Sequence, residues 1–413
     1  MRFLKGDASP SPETPGYVRT VGEITWRQGK TFQLWVDVPE ACAESLSDTG
    51  NPWLLAMLPM AASLGEDIEL SLPVDALLLE NVKGVLAIWR EWYPELHDVH
   101  IQCPVLSYQA PCQAPCATRT AAFFSGGIDS YFTIARRIPG NDFGIPTVGR
   151  VDDLLTVWGF DVGVYDEAQF RPLSNMLATS AQHLGLRQII FRTNLRAAEK
   201  LIPFKDMWRR LSHGVGLAFI GLTLERTYKE VVIGSSYTYG NLFPWGSHPL
   251  QDVLFSTSSL QFVHDGASFT RVEKTDVVAK LPIAQSALHV CFAKGDSNCS
   301  RCDKCYRTMM TLDLLGHRKH TRALFDWSAY RVEAIRKLFI RSRGDKIFKN
   351  DIIVAARKHH RQEIVDALSA AERRSKVLRP LVKASEWLMT QPGIWRLGIT
   401  AKAFLLRGPI RKI

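Results

Sequence analysis

Six consecutive residues, Ser125-Gly126-Gly127-Ile128-Asp129-Ser130, have the chemistry to hold an anion. They follow an apolar run (Ala121, Ala122, Phe123, Phe124) that reads as a strand, and they open a run (Tyr131, Phe132, Ile134, Ala135) that reads as a helix. A strand that turns through two glycines into a helix leaves unpaired backbone N–H groups at the positive end of a helix dipole, a ready phosphate site. The glycines let the backbone come close to the anion, and the serines add hydroxyl donors. Asp129 suits a metal, an amine or the helix N-terminus. The bland alternative is a glycine turn capped by Asp129. A second segment, Gly29-Lys30-Thr31, resembles the end of a Walker-type loop, but Gly22 lies too far upstream to complete one. Its flanks (Thr25, Trp26, then Phe32, Leu34, Val36) alternate like hairpin strands, so it reads as a hairpin turn.

Cys291, Cys299, Cys302 and Cys305 form the other chemical constellation. Cysteines two residues apart reach one ion from a tight knuckle, and four thiolates close a tetrahedral shell. Asn298, Ser300 and Asp303 supply the turn formers, and a helix follows (Tyr306, Met309, Met310, Leu312). The spacing points to a structural Zn2+ ion. An iron–sulfur cluster also takes four cysteines and stays open as an alternative. Cys112 and Cys116 lie in the Pro-containing segment 103–118 with no second ligand pair near them, and read as free thiols.

The glycine loop resembles that of the PP-loop ATP pyrophosphatases. Loop and cysteine array together, over residues 119–318, resemble the 7-cyano-7-deazaguanine synthase (QueC) family. That resemblance implies a catalytic domain that binds ATP and Mg2+, releases AMP and pyrophosphate, and carries one structural zinc. It implies that Ser125, Gly126, Gly127, Ile128, Asp129 and Ser130 hold the pyrophosphate and Mg2+. It places the backbone near Phe160 and Asp161 against adenine, and counts Ser125, Asp129, Ser130 and Lys274 as catalytic. Lys274 or Arg271 would offset charge developing on the α-phosphate; the bland alternative is a surface helix start with an Arg–Glu pair. His248, in a Pro/Gly-rich loop, is an acid–base or substrate-contact candidate beside the plainer reading of an exposed histidine.

Three segments differ from the family. About 118 residues precede the loop. Asp206–His213 stands where the family has a proline-arginine-asparagine signature. Ser235–Gly240 and Phe243–Pro249 replace an aspartate- and cysteine-rich substrate segment. The ATP chemistry therefore carries over better than the deazaguanine substrate. The reading is an enzyme that adenylates a carboxylate or amide oxygen of a small molecule for attack by ammonia or another nucleophile. Two alternatives stay open: a thiolation-type tRNA-modifying enzyme, and a non-catalytic, zinc-stabilised nucleotide-binding module.

The elements that must position these residues alternate. Strands fall near 120–124, 152–160, 188–193, 230–235 and 260–264, and helices near 129–138, 168–185, 206–228 and 273–280. This predicts an α/β fold, a doubly wound parallel sheet of the PP-loop type, with ligands at the carboxyl ends of the strands. Ser125, Asp161, Thr193 and Ser235 lie at such ends, so one pocket should gather them. Residues 1–18 read as flexible and 19–102 as a small α+β domain whose default role is packing, with substrate shaping or homodimer formation as alternatives. Residues 103–118 read as a linker, 119–321 as the catalytic domain with its cysteine knuckle, and 322–413 as a basic helical extension. The helices expected there are Tyr330–Arg341, Asn350–Ala367 and Ala370–Met389, followed by an amphipathic stretch, Trp395–Leu406.

Of the 413 residues, 46% are hydrophobic and 22% charged, as in a globular protein. Residues 322–413 carry a net charge of +13, whereas residues 1–321 sum to −3. The asymmetry suits nucleic acid or an anionic surface as partner, or simply a solvated basic face. No apolar run reaches the ~18 residues of a spanning helix, and the first residues lack an apolar signal core, so a cytoplasmic location is expected.

Overall fold

A computed structural model describes residues 1–106, 117–291, 297–391 and 393–405. Cys112 and Cys116 lie outside these residues. The chain divides into two compact units: Met1–Ser125 with Arg136–Ala267, and Gly126–Ala135 with Ser268–Ile413.

The first unit is a mixed α/β structure with a large, mostly parallel sheet. Its strands are β1 (Arg2–Lys5), β2 (Ser9–Pro10), β3 (Tyr17–Trp26), β4 (Lys30–Pro39), β5 (Ile68–Leu70), β6 (Val74–Asp75), β7 (Ile101–Gln102) and β8 (Val105–Leu106). They continue with β9 (Arg119–Phe123), β10 (Asp153–Trp158), β11 (Arg187–Thr193), β12 (Tyr228–Gly234) and β13 (Gln261–Asp265). The main sheet runs β13-β12-β9-β10-β11-β4-β3-β1-β5-β7. From β13 to β11 every pairing is parallel. Short apolar runs such as Ala121-Ala122-Phe123 and Val231-Val232-Ile233 are buried throughout, as befits strands covered on both faces.

Beyond β11 the sheet changes direction. β4 pairs antiparallel with β11, Arg192 opposite Asp37 and Thr193 opposite Val36. The β3–β4 hairpin turns at Arg27–Gly29, where Gly29 has φ of 69°. Gly29-Lys30-Thr31 therefore belongs to a hairpin. Within the first 18 residues, which read as flexible, Arg2–Lys5 is a strand held between β3 and β5. Phe3 anchors it: the ring is buried and lies 4.8 Å from that of Trp53.

Ion pairs to buried carboxylates reinforce the sheet. Arg19 donates to both carboxylate oxygens of Asp37 at 2.6 and 2.9 Å, and its guanidinium lies 3.7 Å above the Trp35 ring. Arg119 and Arg187 both grip Asp153, which is fully buried; burial opposes its charge, but the two guanidinium groups hold the carboxyl below its usual range.

Two helices of this unit show why the sequence packs as it does. Asn51–Leu64 is apolar nearly all round and buried nearly all round, as expected of an internal helix. It packs against His213–Thr223, whose Gly214, Gly216 and Gly221 give neighbours close access. Gly159, just after β10, has φ of 122°, and a Cβ there would overlap the carbonyl oxygen of Thr193. Gly159→Ala is therefore expected to cost roughly 3–5 kcal/mol, since backbone strain and a clash with backbone add. Urea unfolding measures it, and a loss under about 1 kcal/mol would show that the β10–β11 region relaxes freely.

The second unit is helical. It combines Ile128–Ala135 with Arg271–Lys280, Ala284–Ala287, Asp303–Leu314, Val332–Ile335, Arg343–Lys358, Gln362–Leu388 and Trp395–Leu405. The tail differs from expectation in its breaks. Only Val332–Ile335 is α-helical within 330–341, and the long helices part at His359–Arg361, where His360 takes φ of 55°. Neither glycine nor proline marks that point.

Candidate functional site

In the first unit the carboxyl ends of β9 to β12 carry Ser125, Phe160, Asp161, Thr193 and Ser235. Ser125 and Asp161 are exposed. Thr193 and Ser235 are not available to a ligand, which corrects the expectation that all four line one pocket. Thr193 is fully buried and donates to the Trp35 carbonyl at 2.7 Å, because β4 covers that edge. Ser235 is buried and donates to the Tyr237 carbonyl at 2.7 Å. The Phe160 carbonyl accepts from Arg196 Nη1 at 3.2 Å, and the Phe160 ring leans on Trp208 at 4.7 Å.

His248 is also corrected. It is buried, not exposed in its loop, with its ring 4.8 Å from that of Trp92. Its Nδ1 accepts from Leu250 N at 3.1 Å, capping the turn Pro249–Asp252, and burial pushes its pKa down. The same loop supplies a buried carboxylate that sequence reasoning missed. Asp252 accepts from Ser247 Oγ at 2.7 Å and from His248 N at 3.1 Å, and pairs with His264 Nδ1 at 2.8 Å. These links span β13 and the loop before it, and no local motif announces them.

The second unit holds the rest of the glycine loop. Gly126 has φ of 72°, the left-handed conformation that requires glycine, and its carbonyl accepts from His289 N at 2.8 Å. Ser130 Oγ donates to the Gly127 carbonyl at 3.0 Å, and Tyr131 N to the same carbonyl. Asp129 meets two cations from the helix Arg271–Lys280: Arg271 Nη2 at 2.7 Å and Lys274 Nζ at 3.5 Å. Lys274 has a side chain only 1% exposed, and its ammonium lies 5.5 Å from the centre of the Phe132 ring. The Arg–Glu pair considered for this helix start does not form. Glu273 instead closes a capping box with Thr270, accepting from Thr270 N at 2.7 Å while its own N–H donates to Thr270 Oγ1. Two bases of one helix thus converge on the acid at the N-terminal end of Ile128–Ala135.

The four cysteines converge in this unit. The sulfurs of Cys291, Cys299, Cys302 and Cys305 all lie within 4.8 Å of one another, with Cys291–Cys302 at 3.6 Å and Cys299–Cys305 at 3.9 Å. A tetrahedral shell with metal–sulfur bonds of ~2.3 Å has edges of roughly 3.8 Å, so the four thiols fit a metal ion. Hydrogen bonds shape the knuckle. Asn298 Oδ1 accepts from Val290 N and its Nδ2 donates to Leu288 O, clamping the first arm. Ser300 takes φ of 58° and its Oγ accepts from Asp326 N. Cys302 caps the helix Asp303–Leu314, its sulfur accepting from Cys305 N at 3.4 Å. The neighbouring Cys291 sulfur pushes the Cys302 thiol up to about 12, with burial adding to the effect. A cation at the centre reverses that preference and makes thiolates of all four.

No described helix is long and apolar enough to cross a membrane. No protein-family model, curated protein or solved structure matches this chain.

Proposed function

We propose that the chain is an ATP-dependent adenylating enzyme of the QueC-like PP-loop type, with zinc in its cysteine knuckle. The observation that carries this reading is the charge around Asp129. A buried lysine and an arginine meet it where the glycine loop enters its helix, and two cations beside a helix N-terminus suit a polyphosphate. An exposed, merely capping aspartate would need no buried lysine.

In this reading the backbone N–H groups from Gly126 to Asp129 face the β- and γ-phosphates, with Ser125 and Ser130 hydroxyls beside them. A substrate carboxylate or amide oxygen attacks the α-phosphorus, and the bond to pyrophosphate breaks. Ammonia or another nucleophile then attacks the activated carbon, and AMP leaves with the oxygen. Lys274 and Arg271 stabilise the charge that grows on the phosphate oxygens. Asp129, the carboxylate of the loop, would be the residue to hold a Mg2+ ion, which would supply charge neutralisation for the pyrophosphate. Zinc in the closed four-sulfur shell has no open position for substrate and acts through folding.

Incubation with candidate small carboxylates and ATP labelled in the α- or γ-phosphate tests the proposal. AMP and pyrophosphate are expected in equal amounts. ADP and inorganic phosphate as the main products would overturn it.

A further inference from the structure

The end of the second unit is a helical hairpin with an apolar outer surface. The helix Gln362–Leu388 is followed by the helix Trp395–Leu405. The two lie antiparallel, with Arg374 Nη2 donating to Leu405 O at 2.9 Å. Gly398 permits the close approach: a Cβ there would sit 2.6 Å from both Met389 N and Ser385 O. Helices packed this closely should bury their apolar side chains between them. Here Val382 is buried, but several large ones stay exposed. Val377 is 72% exposed, Leu381 51%, Trp387 61%, Trp395 45%, Leu397 63% and Phe404 66%. Trp387 and Trp395 flank the turn, so the tip of the hairpin is aromatic.

Cations surround this surface. Between Arg373 and Leu405 there are seven Lys and Arg residues and one acid, Glu386. Glu386 is engaged by Arg341 at 3.1 Å and Lys402 at 2.8 Å. Arg373, Lys376, Lys383 and Arg396 are exposed. On Gln362–Leu388 the cations at 373, 376 and 383 form a stripe beside the apolar stripe at 377 and 381, by helical spacing.

We infer that residues 373–405 dock the protein on the surface of anionic phospholipid bilayers. Tryptophans and leucine at a hairpin tip suit the boundary between headgroups and acyl chains, while basic side chains beside them meet lipid phosphates. Nucleic acid would match the cations but gain nothing from an exposed leucine and valine row. The hairpin lies on the membrane without spanning it, since no described helix can cross.

The test uses the full chain and sedimentation with vesicles of pure phosphatidylcholine or of equimolar phosphatidylcholine and phosphatidylglycerol. Binding to the mixed vesicles is expected, at least about tenfold weaker binding to the neutral ones, and weakening with salt. The triple variant Trp387→Ser, Trp395→Ser, Leu397→Ser is expected to lose about tenfold or more in vesicle binding. All three side chains are exposed, so its circular dichroism and melting should match the parent. If it fails to fold, Lys383→Glu with Arg396→Glu supplies the same comparison through charge, and is expected to abolish the preference for anionic vesicles. Undiminished vesicle binding by the folded triple variant, or equal binding to both vesicle types, overturns the inference. So does absence of vesicle binding together with tight RNA binding, or with a dimer that the triple variant dissociates.

Discussion

Cys302→Ser is expected to empty the metal site and destabilise the second unit by several kcal/mol, because a structural ion's binding energy is folding energy. Serine separates two roles of this residue. The cysteine sulfur caps the helix Asp303–Leu314, and serine is itself a good N-cap, so the cap survives while the thiolate is lost. Elemental analysis should fall from about one zinc per chain to near none, the content expected of a four-sulfur shell and its loss. The melting temperature should drop with it, and a chelator should drive the parent protein the same way. An unchanged melting temperature in a metal-free variant would remove the ion from the folding of this unit. A brown protein containing iron and sulfide would replace zinc by a cluster on the same four cysteines.

The second large effect is expected at Asp129. Asp129→Asn keeps the size of the side chain and removes its charge, and AMP release should fall at least about a hundredfold, the scale of a lost electrostatic contact at a reacting phosphate. Stability should fall too. Lys274 is almost fully buried, and without the Asp129 charge it loses a close counterion. Lys274→Met in the Asp129→Asn background removes the lysine charge. The double variant should regain much of the melting temperature while AMP release stays low. This pattern separates a role in chemistry from a role in folding. Full AMP release by Asp129→Asn would take the residue out of the site.

Which parts of this structure were legible in advance follows from range. The five parallel strands were readable because each holds a short apolar stretch between helical patterns, and β9 to β13 fall within two or three residues of their expected positions. The antiparallel continuation through β4 and β3 was not. A strand's own pattern shows which faces are buried and says nothing of which edge it joins. The knuckle was readable because three of its ligands fall within a seven-residue stretch, Cys299–Cys305. The convergence of Arg271 and Lys274 on Asp129, some 140 residues away, depends on tertiary packing. His248 shows the same limit from the other side: a Pro/Gly-rich loop suggested exposure, and Trp92, from a distant helix, buries it. His360 breaks the tail helices in a left-handed conformation that histidine visits more often than most residues, but with no glycine or proline to mark the stop.

The division of the chain also sets an order in time. Gly126–Ala135 belongs with Ser268–Ile413, yet it is made well before its partners. At about 5–20 residues per second, Lys274 leaves the ribosome's active centre roughly 7–30 s after Asp129. For that interval the glycine loop exists without the two cations that pair with its acid. The same arrangement limits dissection. A fragment beginning at Ser268 keeps all four knuckle cysteines but leaves Asp129 behind, so metal loading and the Asp129 ion pairs can be separated by where the gene is cut.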